Sequence, residues 1–373
     1  MNQTSQILST QQTPAASQRH RQYNRQRNSG FDVARALAIF GMVIVNFKIA
    51  MNAESGTALG LWFASLFEGR ASALFVMLAG IGITFLTRQA RASNNPEEIR
   101  VKRMSLIKRG LLLIVLGLAY IPVWEADILH FYGVYFLLAT AVFMVSGRFL
   151  LRLTMALIMA FPVMMLVFDY DQNWHWPTFS YQNFWTLDGM IRHLFFNGFH
   201  PFFPWAGFLV LGMWLGRQEL NDTAVQRRLF VSALVVFLVV ESVFYGLRLI
   251  APAELQPVLS ISIIPPLPQY MISAASTAVM ILLACLVLTT RFPNARIIQW
   301  LASTGQLALT LYVAHVLLGM GTLEAIGQLY NQTIEFALFS AAVFSVSGIA
   351  FSVIWLRYFR QGPLEWLFRY LSR

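Results

Sequence analysis

Long apolar stretches alternate with short polar segments along most of this chain. An α-helix rises about 1.5 Å per residue, so about 20 apolar residues are needed to cross the hydrocarbon core of a bilayer. Ten stretches approach this length, and the pattern therefore predicts an all-α fold, a polytopic membrane helix bundle with about ten transmembrane helices. The predicted spans are residues 31–51, 71–87, 110–124, 131–147, 151–168, 201–216, 229–249, 270–290, 302–321 and 336–357.

The same pattern divides the chain into three regions. Residues 1–30 are polar, rich in Gln, Ser, Asn and Arg, and have no apolar core of a cleavable signal, so we expect a disordered basic cytoplasmic tail. Residues 31–361 form the predicted transmembrane helical domain, and residues 362–373 a cytoplasmic C-terminal segment. Two outer loops stand out. The loop 169–201 is rich in aromatic residues, and the loop 251–269 contains five prolines, which favour an extended cap over a helix.

Charge fixes the expected orientation. Charged residues make up 12% of the chain, against about 25% in an ordinary soluble domain. If the N-terminal tail is cytoplasmic, every Lys and Arg falls on the inner side except Lys48, Arg70, Arg192 and Arg248. This asymmetry predicts a multi-pass inner-membrane protein with both termini in the cytoplasm. The net charge of +10 is spread over short loops rather than one face, so we expect membrane lipids and not nucleic acid as partners.

Several polar residues lie inside the predicted spans, where they are costly unless they serve a purpose. Asp32 and Arg35 are spaced to share a helical face, as a local ion pair or as part of a polar path. Asn46 and His315 should lie at similar depth in the outer half of the membrane. Asn46 either forms a hydrogen bond between helices or is a reactive group, and His315 is either a buried core histidine or a reactive group. Glu241 lies near the middle of its span and must be protonated, paired or solvated.

The outer turn between the third and fourth spans contains Asp127 and His130. If this turn is helical, the carboxylate lies beside the imidazole and can orient it as a general base; the alternative is an ordinary solvated turn. Glu68 and Arg70 mark the outer entry to the second span, and His200 that of the sixth. The candidate catalytic residues are all predicted to lie in the outer leaflet of the membrane: His130, Asp127, His315, Asn46, Arg70 and Glu68. The six histidines do not form a paired metal-ligand motif, so no metal site is predicted.

The first span carries a recognisable pattern. Asp32-Val-Ala-Arg35, followed eleven residues later by Asn46, resembles the opening span of YeiB-like membrane proteins and of heparan-alpha-glucosaminide N-acetyltransferase. It is also similar to the transmembrane acyltransferases, whose pattern has a histidine at the position of Asn46. The resemblance continues over the whole chain in 74–82, 127–132, 200–205, 211–217, 305–312 and 362–369.

This resemblance implies transfer of an acyl group, in the first place acetyl, from cytoplasmic acyl-CoA to an extracytoplasmic glycan or similar envelope acceptor. It implies acetyl-CoA or another acyl-CoA as the donor. His130, oriented by Asp127, or alternatively His315, would be the base, and Arg70 or Asn46 would stabilise the oxyanion. The residues expected to attract the phosphates of the donor are Arg35, Arg100, Arg103, Lys108 and Arg109.

Two other functions fit the same residues. A small-solute transporter or exporter would use Glu241 with Asp32 and Arg35 as an intramembrane polar pathway. A non-enzymatic envelope scaffold would need no internal ligand. The aromatic loop 169–201 is either an interfacial belt or a rim that stacks sugar rings. The oligomeric state is open, with a homodimer as one option.

Overall fold

A computed structural model describes residues 29–372, so the predicted tail lies almost entirely outside the described residues. The fold is all-α, as the sequence predicts. The first nine helices are α1 Ser29–Ala50, α2 Ala58–Ser65, α3 Arg70–Leu86, α4 Arg88–Ser93, α5 Pro96–Tyr120, α6 Leu129–Val142, α7 Gly147–Met165, α8 Leu187–Asn197 and α9 Phe202–Leu215. The remaining helices are α10 Thr223–Ile250, α11 Pro268–Arg291, α12 Arg296–Gln306, α13 Ala308–Ala325, α14 Ile334–Tyr358 and α15 Pro363–Leu371.

Within residues 29–372, seven segments are long and apolar enough to cross a membrane: α1, α2 with α3, α7, α10, α11, α13 and α14. An eighth is present if α8 and α9, bent by 50° with respect to each other, count as one span. The protein is therefore a multi-pass membrane protein. The other two of the ten predicted spans correspond to α5, whose N-terminal half is charged, and to α6, which has only 14 residues.

The helix that contains the third predicted span begins well before that span. The sequence placed residues 100–109 in a basic inner loop, but α5 begins at Pro96 and these residues lie on it. The side chain of Asn95 accepts a hydrogen bond of 2.9 Å from the Glu97 amide, and proline at the first helical position is compatible with helix initiation. Good helix formers such as Glu, Arg, Lys, Met and Leu then continue the helix to the apolar part.

The ninth predicted span is broken. Leu307 leaves the helical conformation, with φ −106° and ψ 26°, and separates α12 from α13. The turn His315–Met320 within α13 is π-helical. Such single π-turns recur at functional sites, and this one carries a candidate histidine.

The aromatic outer loop is more ordered than the sequence suggested. Its strands β1 Trp174–His175 and β2 Ser180–Tyr181 form an antiparallel hairpin, and α8 follows. Asn197 fastens this unit, because its Nδ2 donates to the carbonyls of Tyr170 and Gln172 at 2.9 Å each. The proline-rich loop was expected to be an extended cap; it contains turns and one 3₁₀ turn, Ala253–Leu255, before Pro268 begins α11.

Helix α1 lies at the centre of the bundle and packs against α3, α11, α12 and α14. Helix α9 packs against both α3 and α7, and α5 packs along α6. Helix α10 is peripheral: it packs against α11 and buries only Ala233. Its remaining apolar side chains suit contact with lipid, because a helix surrounded by acyl tails needs no polar outer face.

Candidate functional site

Asp127 lies immediately before α6 and organises its first turn. Its Oδ2 accepts hydrogen bonds from the amides of Leu129, at 2.8 Å, and His130, at 3.3 Å, and from His130 Nδ1 at 3.2 Å. The sequence argument assumed a helical turn, but residues 121–128 are not helical and α6 begins only at Leu129. Asp127 meets His130 because its carboxylate satisfies the free amides at the start of a helix.

This contact defines the chemistry of His130. Because Nδ1 donates to a carboxylate, Nε2 carries the lone pair, and it has no hydrogen-bond partner among residues 29–372. The imidazole is buried. Gly117 on α5 lets the backbone of α6 approach closely at His130, since a Cβ there would lie 2.2 Å from the His130 backbone nitrogen. A buried imidazole with a fixed tautomer and an unused lone pair is suited to general-base catalysis.

The second histidine is paired differently. Asn46 Nδ2 lies 2.9 Å from His315 Nε2, and His315 Nδ1 contacts the carbonyl of Tyr312. The ring therefore donates through Nδ1 to the carbonyl and accepts through Nε2 from the amide of Asn46. Since its lone pair is engaged, His315 is less suited than His130 to take a proton. Its arrangement instead fixes the side chain of Asn46.

Tyr312 connects the two pairs. Its hydroxyl donates to Asp127 Oδ1 at 3.2 Å and accepts from the Ile128 amide at 3.2 Å. Its backbone carbonyl holds His315. The structure thus brings four predicted residues, Asp127, His130, Asn46 and His315, into one network. In the sequence, Tyr312 only ends the segment 305–312 that carries the family resemblance, and no role follows from that position.

Two predicted site residues lie outside this network. Glu68 Oε1 forms an ion pair with Lys48 Nζ at 3.0 Å. Arg70 Nη2 lies 2.8 Å from Glu241 Oε1. Neither Glu68 nor Arg70 makes a hydrogen bond to a histidine in the described part of the chain.

Glu241 thereby gains the partner that the sequence could not name. Ser273 Oγ accepts from Arg70 at 2.9 Å and donates to Glu241 Oε1 at 2.6 Å. The carboxylate, the guanidinium and the hydroxyl join α10, α3 and α11. This arrangement explains a charged residue on a lipid-facing helix without a solute pathway.

Sequence reasoning missed His193. Its ring stacks on that of His130, with centroids 5.6 Å apart and planes inclined by 21°. It is buried, and its Nδ1 has no partner within residues 29–372. The signal was the cluster of histidines in the aromatic loop, but nothing in the sequence indicates that α8 folds back over the start of α6.

A cavity of about 440 Å³ opens beside these rings; we call it the outer cavity because the charge pattern predicts that this end faces away from the cytoplasm. Its lining residues are Ile121, Pro122, Glu125, Tyr181, Gln182, Asn183, Phe184, Trp185, Thr186 and His193. Glu125 Oε2 accepts from the Tyr181 amide at 3.1 Å, which joins the hairpin to the turn before α6. Burial raises the pKa of Tyr181, so its hydroxyl stays a neutral donor. Phe184 and His193 separate the cavity from His130, since both rings contact that of His130.

A second cavity, of about 690 Å³, lies at the N-terminal end of α1; we call it the inner cavity because the charge pattern predicts that this end faces the cytoplasm. Its lining residues are Phe31, Asp32, Arg35, Phe85, Arg88, Arg91, Ala92, Gly216, Arg217, Gln218, Glu219, Leu220 and Asn221. The predicted pair is present, with Arg35 Nη1 bonded to Asp32 Oδ1. Four guanidinium groups thus line the cavity against two carboxylates, and this excess favours an anion.

Two of these arginines are anchored and still have unused donors. Arg91 Nη2 donates to the Thr84 carbonyl and Arg217 Nη2 to the Phe143 carbonyl, at 2.9 Å each. The Nε of each is buried without a partner among the described residues. Burial, and then repulsion from Arg88, lowers the pKa of Arg91. Burial, and then repulsion from Arg91, lowers the pKa of Arg217 to about 10, so Arg217 remains cationic at neutral pH and gains from a bound anion.

Most of the predicted phosphate-binding residues lie elsewhere. Of the five, Arg35 lines the inner cavity. Arg100 is exposed and pairs with Glu97 at 3.0 Å, and Arg103 lies 5.8 Å from the Phe143 ring centroid. Arg109 Nε donates to Ser372 Oγ at 3.3 Å, and Lys108 lies beside it on α5. In the described residues, no group of three or more His, Cys, Asp or Glu side chains is arranged to hold a metal ion.

Comparison with known proteins gives two family matches. The family described as "Heparan-alpha-glucosaminide N-acetyltransferase, catalytic" matches residues 27–245, which is more than half of the chain. The family described as "Protein of unknown function (DUF418)" matches residues 213–373. The chain is also 38% identical over 78 residues to the "Uncharacterized protein YeiB" of Escherichia coli (strain K12). That alignment covers 21% of this chain and 20% of the relative, so the chain spans about a fifth of the length of this curated protein.

Proposed function

Because this chain belongs to the heparan-alpha-glucosaminide N-acetyltransferase catalytic family and is YeiB-like, we propose that it is a membrane acyltransferase. The proposed reaction transfers an acyl group, in the first place acetyl, from acyl-CoA on the cytoplasmic side. The acceptor is a glycan or similar envelope component on the other side. The observation that carries this proposal is the connection of Asp127–His130 to Asn46–His315 through Tyr312.

The proposed orientation has ten spans and both termini on the cytoplasmic side of the inner membrane. The inner cavity then faces the cytoplasm, and the outer cavity faces the periplasm. The two cavities lie toward opposite ends of the bundle, as transfer across a membrane requires. The alternation of basic and neutral connecting segments supports the same orientation.

The inner cavity is the proposed binding site for the phosphates of the donor. Arg35, Arg88, Arg91 and Arg217 offer charged planar donors that match phosphate oxygens. From Arg35 to Asn46 is eleven residues of α1, or about 16 Å. A pantetheine arm has the length of about five extended residues, about 17 Å, and can thus bring its thioester from this cavity to the histidine network.

The outer cavity is the proposed acceptor site. Tyr181, Phe184 and Trp185 supply ring faces, while Asn183 and Glu125 supply amide and carboxylate groups. Aromatic faces with a few fixed polar groups are typical of sites that orient ring-shaped polar ligands such as sugars. An acceptor held there contacts His193 and Phe184, whose rings lie against His130, so in this proposal one of these two rings moves aside for the acceptor to reach His130 Nε2.

The proposed mechanism uses the two histidines for different tasks. His130 Nε2 removes the proton from the acceptor hydroxyl or amine as the nucleophile attacks the thioester carbonyl carbon. Asp127 stabilises the imidazolium that results. Asn46, held by His315, directs its second amide hydrogen at the developing oxyanion. The carbon–sulfur bond then breaks, and His130 returns the proton to the departing thiolate.

The test is acyl transfer in proteoliposomes, with acetyl-CoA labelled in the acetyl group on one side and envelope glycans on the other. The proposal expects thioester cleavage that depends on the acceptor and is lost in His130→Gln. A matched control is His175→Gln, an exposed histidine of the outer hairpin. Solute movement without thioester cleavage would replace the proposal with a transporter. If the protein cleaves no thioester, moves no solute and binds no CoA, the non-enzymatic envelope scaffold would be the remaining function.

A further inference from the structure

The C-terminal helix α15 contacts the break between α12 and α13. Helix α13 begins at Ala308 directly after Leu307, whose apolar side chain cannot accept a hydrogen bond from the free amides of the new helix. Glu365 on α15 does so instead. Its Oε1 accepts from the amide of Leu309 at 2.7 Å and from that of Thr310 at 3.1 Å.

A second pair of hydrogen bonds completes the contact. Thr310 Oγ1 donates to Glu365 Oε2 at 2.6 Å and accepts from the Leu364 amide at 3.2 Å. Both carboxylate oxygens are therefore used, and each segment donates to the other. We call this set of four hydrogen bonds, made by Leu309, Thr310, Leu364 and Glu365, the C-terminal clasp.

The chain around Glu365 is shaped for the clasp. A Cβ on Gly362 would lie 2.1 Å from Glu365 Oε2 and 2.9 Å from Thr310 Oγ1, so a larger residue would displace the carboxylate. Helix α15 is also fastened at its other end, where Ser372 accepts from Arg109 of α5. Helix α15 is therefore hydrogen bonded to α13 near its N-terminal end and to α5 just after its C-terminal end.

The clasp lies on α13 about one helical turn before the residues of the candidate site. Tyr312, which bonds Asp127, comes two residues after Thr310, and His315, which bonds Asn46, comes five residues after it. A helix moves as a unit over such a distance, because each residue is tied to the previous turn by backbone hydrogen bonds. A shift or fraying of the first turn of α13 therefore changes the position of both side chains.

We propose that Glu365 is a positioning residue, which holds the start of α13 where Tyr312 reaches Asp127 and His315 reaches Asn46. The kinetic part of this inference rests on the proposed acyl transfer, while the structural part does not. Glu365 contacts neither substrate and acts through α13. It gives the C-terminal motif 362–369 a role in the reaction that its distance in sequence from the histidines conceals.

The experiment compares Glu365→Ala with Glu365→Gln in the full-length protein in proteoliposomes. Alanine removes the carboxylate oxygen that accepts hydrogen bonds from the Leu309 and Thr310 amides. Glutamine keeps one side-chain oxygen that can accept from both amides. The control is Glu324→Ala, which removes an exposed carboxylate at the other end of α13. Two quantities are measured: hydrogen exchange of the amides of residues 308–316, and kcat with the KM of donor and acceptor.

The proposal expects faster exchange of these amides in Glu365→Ala, and a kcat lower by about 10–100-fold with both KM values within about twofold of the parent. Glu365→Gln should restore most of both quantities. Thr310→Val, which keeps shape and loses the hydroxyl, should give an intermediate result and serves if the alanine variant does not fold. Parent-like exchange in Glu365→Ala, or an unchanged kcat in an active protein, would overturn the proposal. If the parent transfers no acyl group, the proposed function fails, and the exchange rates still decide whether the clasp holds α13.

Discussion

The hydroxyl of Tyr312 donates a hydrogen bond of 3.2 Å to Asp127 Oδ1, and these two residues are 185 positions apart in the chain. Asp127 uses its other oxygen for His130. The same tyrosine holds His315 through its carbonyl. One residue thus links the start of α6, through its hydroxyl, to the π-helical turn of α13, through its backbone carbonyl, and its hydroxyl can be removed to test whether the two histidine pairs act together.

Tyr312→Phe removes this link and retains the ring. We expect kcat to fall about tenfold, because a hydrogen bond to a charged group contributes about 1.5–3 kcal/mol and the Asp127 oxygen is left without it. Steady-state transfer assays with both KM values measure this effect. The exposed Tyr330→Phe is the matched control. A kcat equal to that of the parent would show that the two pairs work independently.

His130→Gln and His315→Gln separate the roles of the two histidines. Loss of a positioned general base costs about 10²–10⁴-fold in rate, and we expect this for His130, whose Nε2 is unused. His315→Gln should cost less, because its ring only holds Asn46. Single-turnover acyl transfer measures both values. The reverse order would assign the base to His315.

Arg217→Ala and Arg35→Ala test the inner cavity as the donor site. Removal of one guanidinium from a phosphate should weaken CoA binding about 10–100-fold, the equivalent of about 1.5–3 kcal/mol. Arg100→Ala should bind CoA like the parent, because this side chain is exposed and outside the cavity. Titration calorimetry of CoA with the detergent-solubilised protein measures the three affinities. A large loss for Arg100→Ala alone would move the donor site to α5.

Glu241→Ala tests whether the ion pair with Arg70 is structural. Breaking a partly buried pair leaves the guanidinium uncompensated, and we expect the free energy of unfolding to fall by about 1–3 kcal/mol. The double variant Arg70→Met/Glu241→Met should recover part of this loss. Thermal unfolding of the purified protein measures stability, and transfer per folded molecule should remain that of the parent. Lost activity at full stability would contradict the structural role and would restore a functional polar pathway.

The sequence defined the features that depend on near neighbours. The apolar segments are continuous runs in the sequence. The ion pair of Asp32 with Arg35 and the contact of Asp127 with His130 each join residues three positions apart. The start of α5 was misplaced by the same reasoning, because charge suggested a loop while the Asn95 cap and helix-forming residues favoured a helix.

What the sequence determined by itself is the multi-pass helical class, the candidate polar residues and the alternation of basic segments from which an orientation is predicted. Lipid cannot hydrogen bond to the backbone, so apolar length alone dictates helices there. Tertiary packing decided which polar groups meet: Asn46 with His315, Tyr312 with Asp127, Arg70 with Glu241, and Arg91 with Arg217 in the inner cavity. These partners lie on different helices or in the segments that flank them, and their contact depends on the relative position and rotation of packed helices, which side-chain shapes throughout the bundle fix together.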